Sequence, residues 1–243
     1  MSNRNYNQEY QDNDRKYAYD FDNILRKYMM QTVLSFNPDP KGKVLEMGCF
    51  KGEFTEILTH HFSNITVMEA SDELIDYTRN RVGKEVKFIH TTFENFDGGE
   101  KYDTIFLMHT LEHLDDPVGI LQKVKSWLAP EGRLFLICPN ANAPSRQIAV
   151  KMGLITHNAA ITPAEREHGH RNTYSLDTLE REAFQAGLTT LHRGGIFFKA
   201  LANYQFDKIL QTDIISKEYM DGCYQLGMIY PDLCASIYLV CKA

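Results

Sequence analysis

Between Lys43 and Cys138 the chain repeats one pattern: a short apolar run, then a stretch with helical spacing, then another apolar run. Residues 44–47, 65–68, 86–90, 104–108 and 134–138 read as strands, and residues 53–61, 72–82 and 117–128 as helices. Strands that are apolar almost throughout are buried on both faces, and strands alternating with helices are joined by right-handed crossovers. This predicts an α/β fold, doubly wound around a mostly parallel sheet. Ser71 is placed to cap the second helix, and Pro117 suits the first turn of the third.

The flanking segments break this rhythm. Residues 17–36 carry a helical pattern closed by Pro38 and Pro40, after a polar start rich in Asn, Asp, Gln and Tyr. Residues 139–174 hold a short amphipathic piece (146–152) and then a polar stretch ending in His168-Gly169-His170-Arg171. A connection of that length inside a compact domain suggests a lid or binding insertion. Ser175 then caps a helix through Ala186, followed by a strand over 188–198, a helix over 204–210 and a last strand over 236–241. The expected organisation is one domain over 1–243. It comprises a helical cap (1–40), a ligand-binding core (43–138), a lid (139–174) and a remainder that completes the core (175–243).

Composition narrows the function classes. A net charge of −6 argues against a dedicated nucleic-acid binder, which needs a basic surplus. No apolar run approaches the ~18 residues of a membrane span, and the polar N-terminal residues do not form a secretory signal. Cys49, Cys138, Cys223, Cys234 and Cys241 are scattered and form no CxxC pair, which points to reduced thiols and a cytoplasmic protein.

The first strand runs into Glu46-Met47-Gly48-Cys49-Phe50-Lys51-Gly52 and then directly into a helix. Glycines in such a turn allow a tight bend and close approach of a ligand to the backbone. A dinucleotide fingerprint would need glycine at 48, 50 and 53, where the chain has Gly48, Phe50 and Glu53. Phe50 would obstruct a pyrophosphate and Glu53 would repel it at the helix start, so NAD is disfavoured. Glu46 before the turn and Glu69 at the end of the second strand suit a cationic nucleoside instead, with Glu69 accepting both ribose hydroxyls. The spacing Glu46-x-Gly48-x-x-x-Gly52, with Glu69 in register, resembles the class I S-adenosylmethionine-dependent methyltransferases. His109-Thr110-Leu111-Glu112-His113-Leu114-Asp115-Asp116-Pro117 resembles a segment common among that family's small-molecule members.

The resemblance implies a seven-stranded Rossmann-like sheet and S-adenosyl-L-methionine as cofactor. It places Glu46, Gly48, Cys49, Gly52, Glu69, Ala70, Thr92, Phe93, Met108 and His109 around that cofactor. Thr92 stands where the family commonly has Asp, and it and the Phe93 N–H would frame the adenine. Glu112 and His113 are expected to fix the turn and helix. The Pro139-Asn140-Ala141 turn and the later Gly-His-Arg element resemble bacterial enzymes linked to sugars and surface polysaccharides.

The implied reaction is methyl transfer to an oxygen, or a nitrogen, of a small molecule such as a sugar, a sugar phosphate or another small anionic metabolite. His170 and His109 are the candidate catalytic groups, with His170 as base or positioning donor, and Arg171 would hold an anionic acceptor. His168 and His170 at i, i+2 lack a third ligand, so no metal is expected. A small-molecule acceptor is the expected partner, without nucleic acid or membrane, and a homodimer is compatible with the sequence. The alternatives are an RNA-modifying methyltransferase and a non-catalytic cofactor-binding protein that kept the fold.

Overall fold

The structure, a computed structural model, describes residues 6–7, 19–83 and 85–243. Most of the polar first twenty residues, and the start of the expected first helix at Tyr17, lie outside the described residues. Seven strands form one sheet: β1 (Val44–Met47), β2 (Ile65–Glu69), β3 (Lys87–His90), β4 (Tyr102–Met108), β5 (Leu128–Pro139), β6 (Thr189–Phe198) and β7 (Cys234–Lys242). Their spatial order is β3-β2-β1-β4-β5-β7-β6. The pairs among β1 to β5 are parallel, and β7 is antiparallel to both β5 and β6. The doubly wound reading therefore holds. Every side chain of β1 and β2 is buried, which is why those segments read as apolar almost throughout, with Glu46, Thr66 and Glu69 as the polar exceptions.

Local chemistry sets the helix ends. On α1 (Asp20–Leu34) the buried face is Phe21, Leu25, Tyr28, Met29 and Val33. After α2 (Glu53–Thr59), α3 (Asp72–Val82) begins where the Ser71 hydroxyl accepts the Leu74 N–H. The next helix, α4 (Pro117–Trp127), starts on an Asp116 cap with proline in its first turn. It ends one residue earlier than expected, because Leu128 already pairs with Tyr102. The chain then bulges and resumes regular pairing at Arg133 opposite Thr104.

The insertion after β5 folds as α5 (Pro144–Lys151) and α6 (Pro163–Glu167), and then α7 (Leu176–Gln185) returns the chain to the sheet. Two helices follow β6: α8 (Asn203–Leu210) and α9 (Lys217–Ile229). The second of these was not expected from the sequence. Its buried residues, Met220, Cys223, Tyr224 and Gly227, are chemically mixed and mask the apolar stripe that would have announced it.

Two apolar clusters sandwich the sheet. One joins β1, β4, β5 and β7 to α4 and α7, through residues such as Leu121, Trp127 and Leu179. The other joins the opposite face to α1, α2, α8 and α9. Phe21 is at its centre, fully buried, stacked on Phe206 at 4.4 Å between ring centroids and edge-on to Phe197 at 5.3 Å. Tyr28 and Thr32 continue this seam, bonding Asp221 (2.8 Å) and the Tyr224 hydroxyl (3.0 Å). The α1 helix is thereby fixed over the carboxyl ends of the strands, where ligands enter sheets of this kind.

Candidate active site

The strand order reverses between β1 and β4, and a cavity of about 440 Å³ opens there. One half is built on the β1–α2 turn. Gly48 (φ +78°), Phe50 (φ +48°) and Gly52 (φ +77°) all take the left-handed conformation. At Gly52 a Cβ would also lie 2.7 Å from Thr78 Cγ2, so only glycine closes this turn against α3. Glu69 gathers the turn from the neighbouring strand. Its carboxylate accepts the N–H groups of Cys49 (3.1 Å), Ala70 (2.8 Å) and Ser71 (3.0 Å). Burial pushes its proton affinity up, and these donors pull it back down.

Glu46 is more isolated. It is buried, its Oε2 has no hydrogen-bond partner among the described residues, and burial pushes its pKa up to about 8. The Thr55 hydroxyl opposes that rise, while Glu69 and Glu53 add to it. A buried carboxyl oxygen without a donor is costly unless a ligand completes it. Of the residues that the resemblance places around the cofactor, Glu46, Gly48, Cys49, Glu69, Met108 and His109 line the cavity. Gly52, Ala70, Thr92 and Phe93 do not line it. Gly52 caps α2 from behind, and the Ala70 N–H is spent on Glu69. The Thr92 hydroxyl accepts the Asn95 N–H at 3.3 Å and closes a turn. The Phe93 ring lies beside the β1 turn, 3.7 Å from where a Gly48 Cβ would stand.

The other half is walled by α1, the β4–α4 turn, the insertion and the β6–α8 connection. His109 takes φ +49°, donates its N–H to Ile137 O (2.8 Å) and sets Nε2 2.9 Å from Ser236 Oγ. Burial, followed by Arg26, His170 and Lys199, pushes its pKa down to about 3, so its imidazole is neutral at physiological pH. Glu112 is 1% exposed, and burial pushes its pKa up to about 8. Its own backbone N–H and the Cys138 thiol oppose that rise, His113 Nε2 stands 4.0 Å from Oε1, and neither carboxylate oxygen has a full hydrogen-bond partner among the described residues.

His170 lies edge-on to His113 at 4.7 Å between centroids, with His168 farther off at 6.5 Å. Its position is fixed from the backbone. The N–H groups of Arg171 and Asn172 both donate to Glu112 O, at 2.8 and 3.0 Å. Arg171 itself departs from expectation. Its guanidinium turns outward to pair with Asp115 at 2.6 Å, both side chains well exposed, and it does not line the cavity. The backbone bond to Glu112 leaves the Arg171 side chain on the outer side of the strap that His170 faces inward from.

Four further polar and charged residues reach the cavity that the sequence analysis did not single out. Asp22 and Arg26 extend from α1, and Lys199 and Asn203 from the start of α8 and the residues before it. Asn203 bridges them, donating to Asp22 Oδ1 (2.8 Å) and accepting from Lys199. Burial lowers Lys199 to about 8 against the pull of Asp22, and raises Asp22 to about 6 against Arg26 and Lys199. The one available signal was the i, i+4 spacing of Asp22 and Arg26 on a helix; Lys199 stands alone after an apolar strand.

Comparison with known proteins agrees with this geometry. A family model described as a methyltransferase domain matches residues 18–193. The chain belongs to the class I S-adenosylmethionine-dependent methyltransferases. It is 27% identical over 189 residues to a ubiquinone biosynthesis O-methyltransferase of Coxiella burnetii, covering 76% of this chain and 77% of that one. A relative of the same name from Actinobacillus pleuropneumoniae is 31% identical over 117 residues, or 44% of this chain, and the match spans 50% of the relative's length. Among solved structures, the N-methyltransferase NodS from Bradyrhizobium japonicum WM9, in complex with S-adenosyl-L-homocysteine, superposes with a TM-score of 0.60. That match is at 18% identity and covers 96% and 97% of the two chains, so it speaks for the fold.

The methyltransferase's own residues fit the cofactor of its family. The glycine turn presents backbone free of side-chain bulk, Glu69 at the end of β2 would be placed to accept ribose hydroxyls, and the orphaned Glu46 carboxyl oxygen would suit an ammonium group.

Proposed function

We propose that the protein transfers a methyl group from S-adenosylmethionine to a hydroxyl of a small organic molecule held between α1, the insertion and the β4–α4 turn. The observation that carries this reading is the single cavity running from Glu46 and Glu69 to His109, His170 and Lys199. Its size suits a small ligand, not a nucleic-acid strand. Oxygen is favoured over nitrogen because both relatives named above are O-methyltransferases. Arg26 and Lys199 on the acceptor wall suit an acceptor bearing an anionic or strongly polar group. All five cysteines are free and buried, as suits a reducing compartment such as the cytoplasm.

When bound, the cofactor would supply a sulfonium methyl whose carbon an acceptor lone pair attacks, the new bond forming as the carbon–sulfur bond breaks and S-adenosylhomocysteine departs. The chain's contribution is placement and proton handling. Glu46 and Glu69 hold the two ends of the cofactor, and neutral His109, tied to Ser236, forms the floor between the two ligands without adding positive charge. His170 positions the acceptor oxygen. Lys199 carries some neutral amine near pH 7 because burial holds its pKa near 8, and it takes the proton that the hydroxyl releases. The insertion covers the site and excludes water.

The test is release of S-adenosylhomocysteine from S-adenosylmethionine in the presence of panels of phenols, hydroxy acids, sugars and sugar phosphates. Acceptor-dependent release is expected, with kcat lowered about 10²-fold or more in His170→Ala at little change in S-adenosylhomocysteine affinity. Tight cofactor binding with no turnover on any panel would favour the non-catalytic alternative.

A further inference from the structure

Glu112 lies at the bottom of the acceptor half, and neither of its carboxylate oxygens has a full hydrogen-bond partner among the described residues. A group so placed costs free energy in the folded chain unless something positive completes it. Among the described residues no lysine or arginine is paired with it. The side chains at hand are imidazoles: His113 from the same short 3₁₀ turn (Leu111–His113), with Nε2 4.0 Å from Glu112 Oε1, and His170 from the insertion. One donor atom from each of Glu112, His113 and His170 falls within a set whose members are all no more than 4.8 Å apart. All three residues line the cavity.

We propose that Glu112, His113 and His170 bind one divalent first-row transition-metal ion, which holds the acceptor oxygen in the cavity. Metal–ligand bonds of about 2.0–2.2 Å put two donors of one ion roughly 3–4 Å apart, so side-chain movement of about 1 Å closes the set. Two imidazole nitrogens and one carboxylate suit ions such as Mn²⁺, Fe²⁺, Co²⁺ or Zn²⁺ better than Mg²⁺ or Ca²⁺, which prefer all-oxygen shells. Three protein ligands leave coordination positions open, and the cavity is the space they open onto. The backbone bonds from Arg171 and Asn172 to Glu112 O give the third ligand its fixed place, joining two segments far apart in sequence. This explains how His170 positions the acceptor, and it replaces the His168–His170 pair considered from sequence, since His168 is not in the donor set.

The inference rests on reading the cavity as an acceptor site, but ion binding is measured without turnover, so the two readings fail separately. The full-length protein, stripped with a chelator and desalted, is titrated with Mn²⁺ followed by electron paramagnetic resonance and with Co²⁺ followed by visible absorption. One ion per chain is expected, with affinity weakened at least tenfold in both Glu112→Gln and His170→Ala. S-adenosylhomocysteine affinity should stay within about twofold of wild type in His170→Ala, which shows that this variant is folded. Absence of saturable binding of either ion to the wild-type protein, or equal affinity in the wild type and a folded His170→Ala, would overturn the proposal. Stoichiometric, His170-dependent binding without methyl transfer to any acceptor would support the ion site and count against the proposed reaction instead.

Discussion

Glu46 shows how one buried side chain ties stability to ligand binding. Its pKa near 8 in the folded protein stands well above the 4.5 of a free glutamate, with burial as the main cause. The folded state therefore holds a proton that the unfolded chain gives up. The resulting stability is fully present below pH 4.5 and is lost as pH rises through 8, at a limiting slope of about 1.4 kcal/mol per pH unit. Urea denaturation of wild type and Glu46→Gln between pH 5.5 and 8 isolates this contribution. The difference in unfolding free energy should shift steadily toward the variant as pH rises, and a difference independent of pH would mean that Glu46 is not protonated in the folded protein. Much at this scale was legible beforehand, because Glu46, Gly48 and Glu69 answer to local geometry that spacing encodes. Thr92, Arg171 and Lys199 were not, because the direction a side chain takes depends on what its backbone is bonded to. Arg171 has its N–H on Glu112 and its guanidinium on Asp115; neither partner is near it in sequence.

Among the elements, the insertion is the least like a packed core, since neither α5 nor α6 has a buried residue. Polar side chains hold it instead. Arg146 on α5 donates to the carbonyls of Asn158 and Ala160 and to the Glu165 carboxylate, and Glu165 also closes a capping box with Thr162. Burial works to raise the Glu165 pKa, yet the Arg146 bond and the Thr162 N–H hold it below the usual range. Arg146→Ala leaves those two carbonyls without this donor and the half-buried Glu165 carboxylate with the Thr162 N–H in place of an ion pair. We expect local opening of residues 156–170 to become easier by about 1–3 kcal/mol, with global stability little changed. Amide hydrogen exchange reads this directly: faster exchange confined to the insertion is expected, and unchanged protection there would show that other contacts carry the lid. The same chemistry explains which elements could be foreseen. Strands and helices of the core follow apolar periodicity, whereas the insertion follows hydrogen bonds to carbonyls, which leave no periodic trace. The helix Lys217–Ile229 escaped for a related reason, its buried face being shared among Met, Cys, Tyr and Gly.

Across the whole molecule, the cofactor half of the cavity comes mainly from the β1 and β2 ends, close together in sequence, and the acceptor half is assembled from pieces scattered between Tyr19 and Ser236. That contrast explains why the first was readable as a motif and the second was not. It also makes a separable prediction about Phe21, the residue that anchors α1. Phe21 packs between Phe197 and Phe206, and its N–H donates to Asp207 Oδ1 at 3.0 Å. Its neighbour Asp22 is bonded to Asn203, and Lys199 sits 5.3 Å over the Phe21 ring, so the acceptor wall rests on this side chain. Phe21→Ala should cost about 3–5 kcal/mol of stability by opening a cavity between α1, β6 and α8. In the fraction that stays folded, the loosened wall should raise the KM for the methyl acceptor several-fold while S-adenosylhomocysteine affinity holds near wild type. Phe21→Leu, which refills most of the space, should recover both quantities in large part. Equal losses of cofactor and acceptor binding in Phe21→Ala would show that the two halves are coupled through α1 and are not independent walls of one cavity.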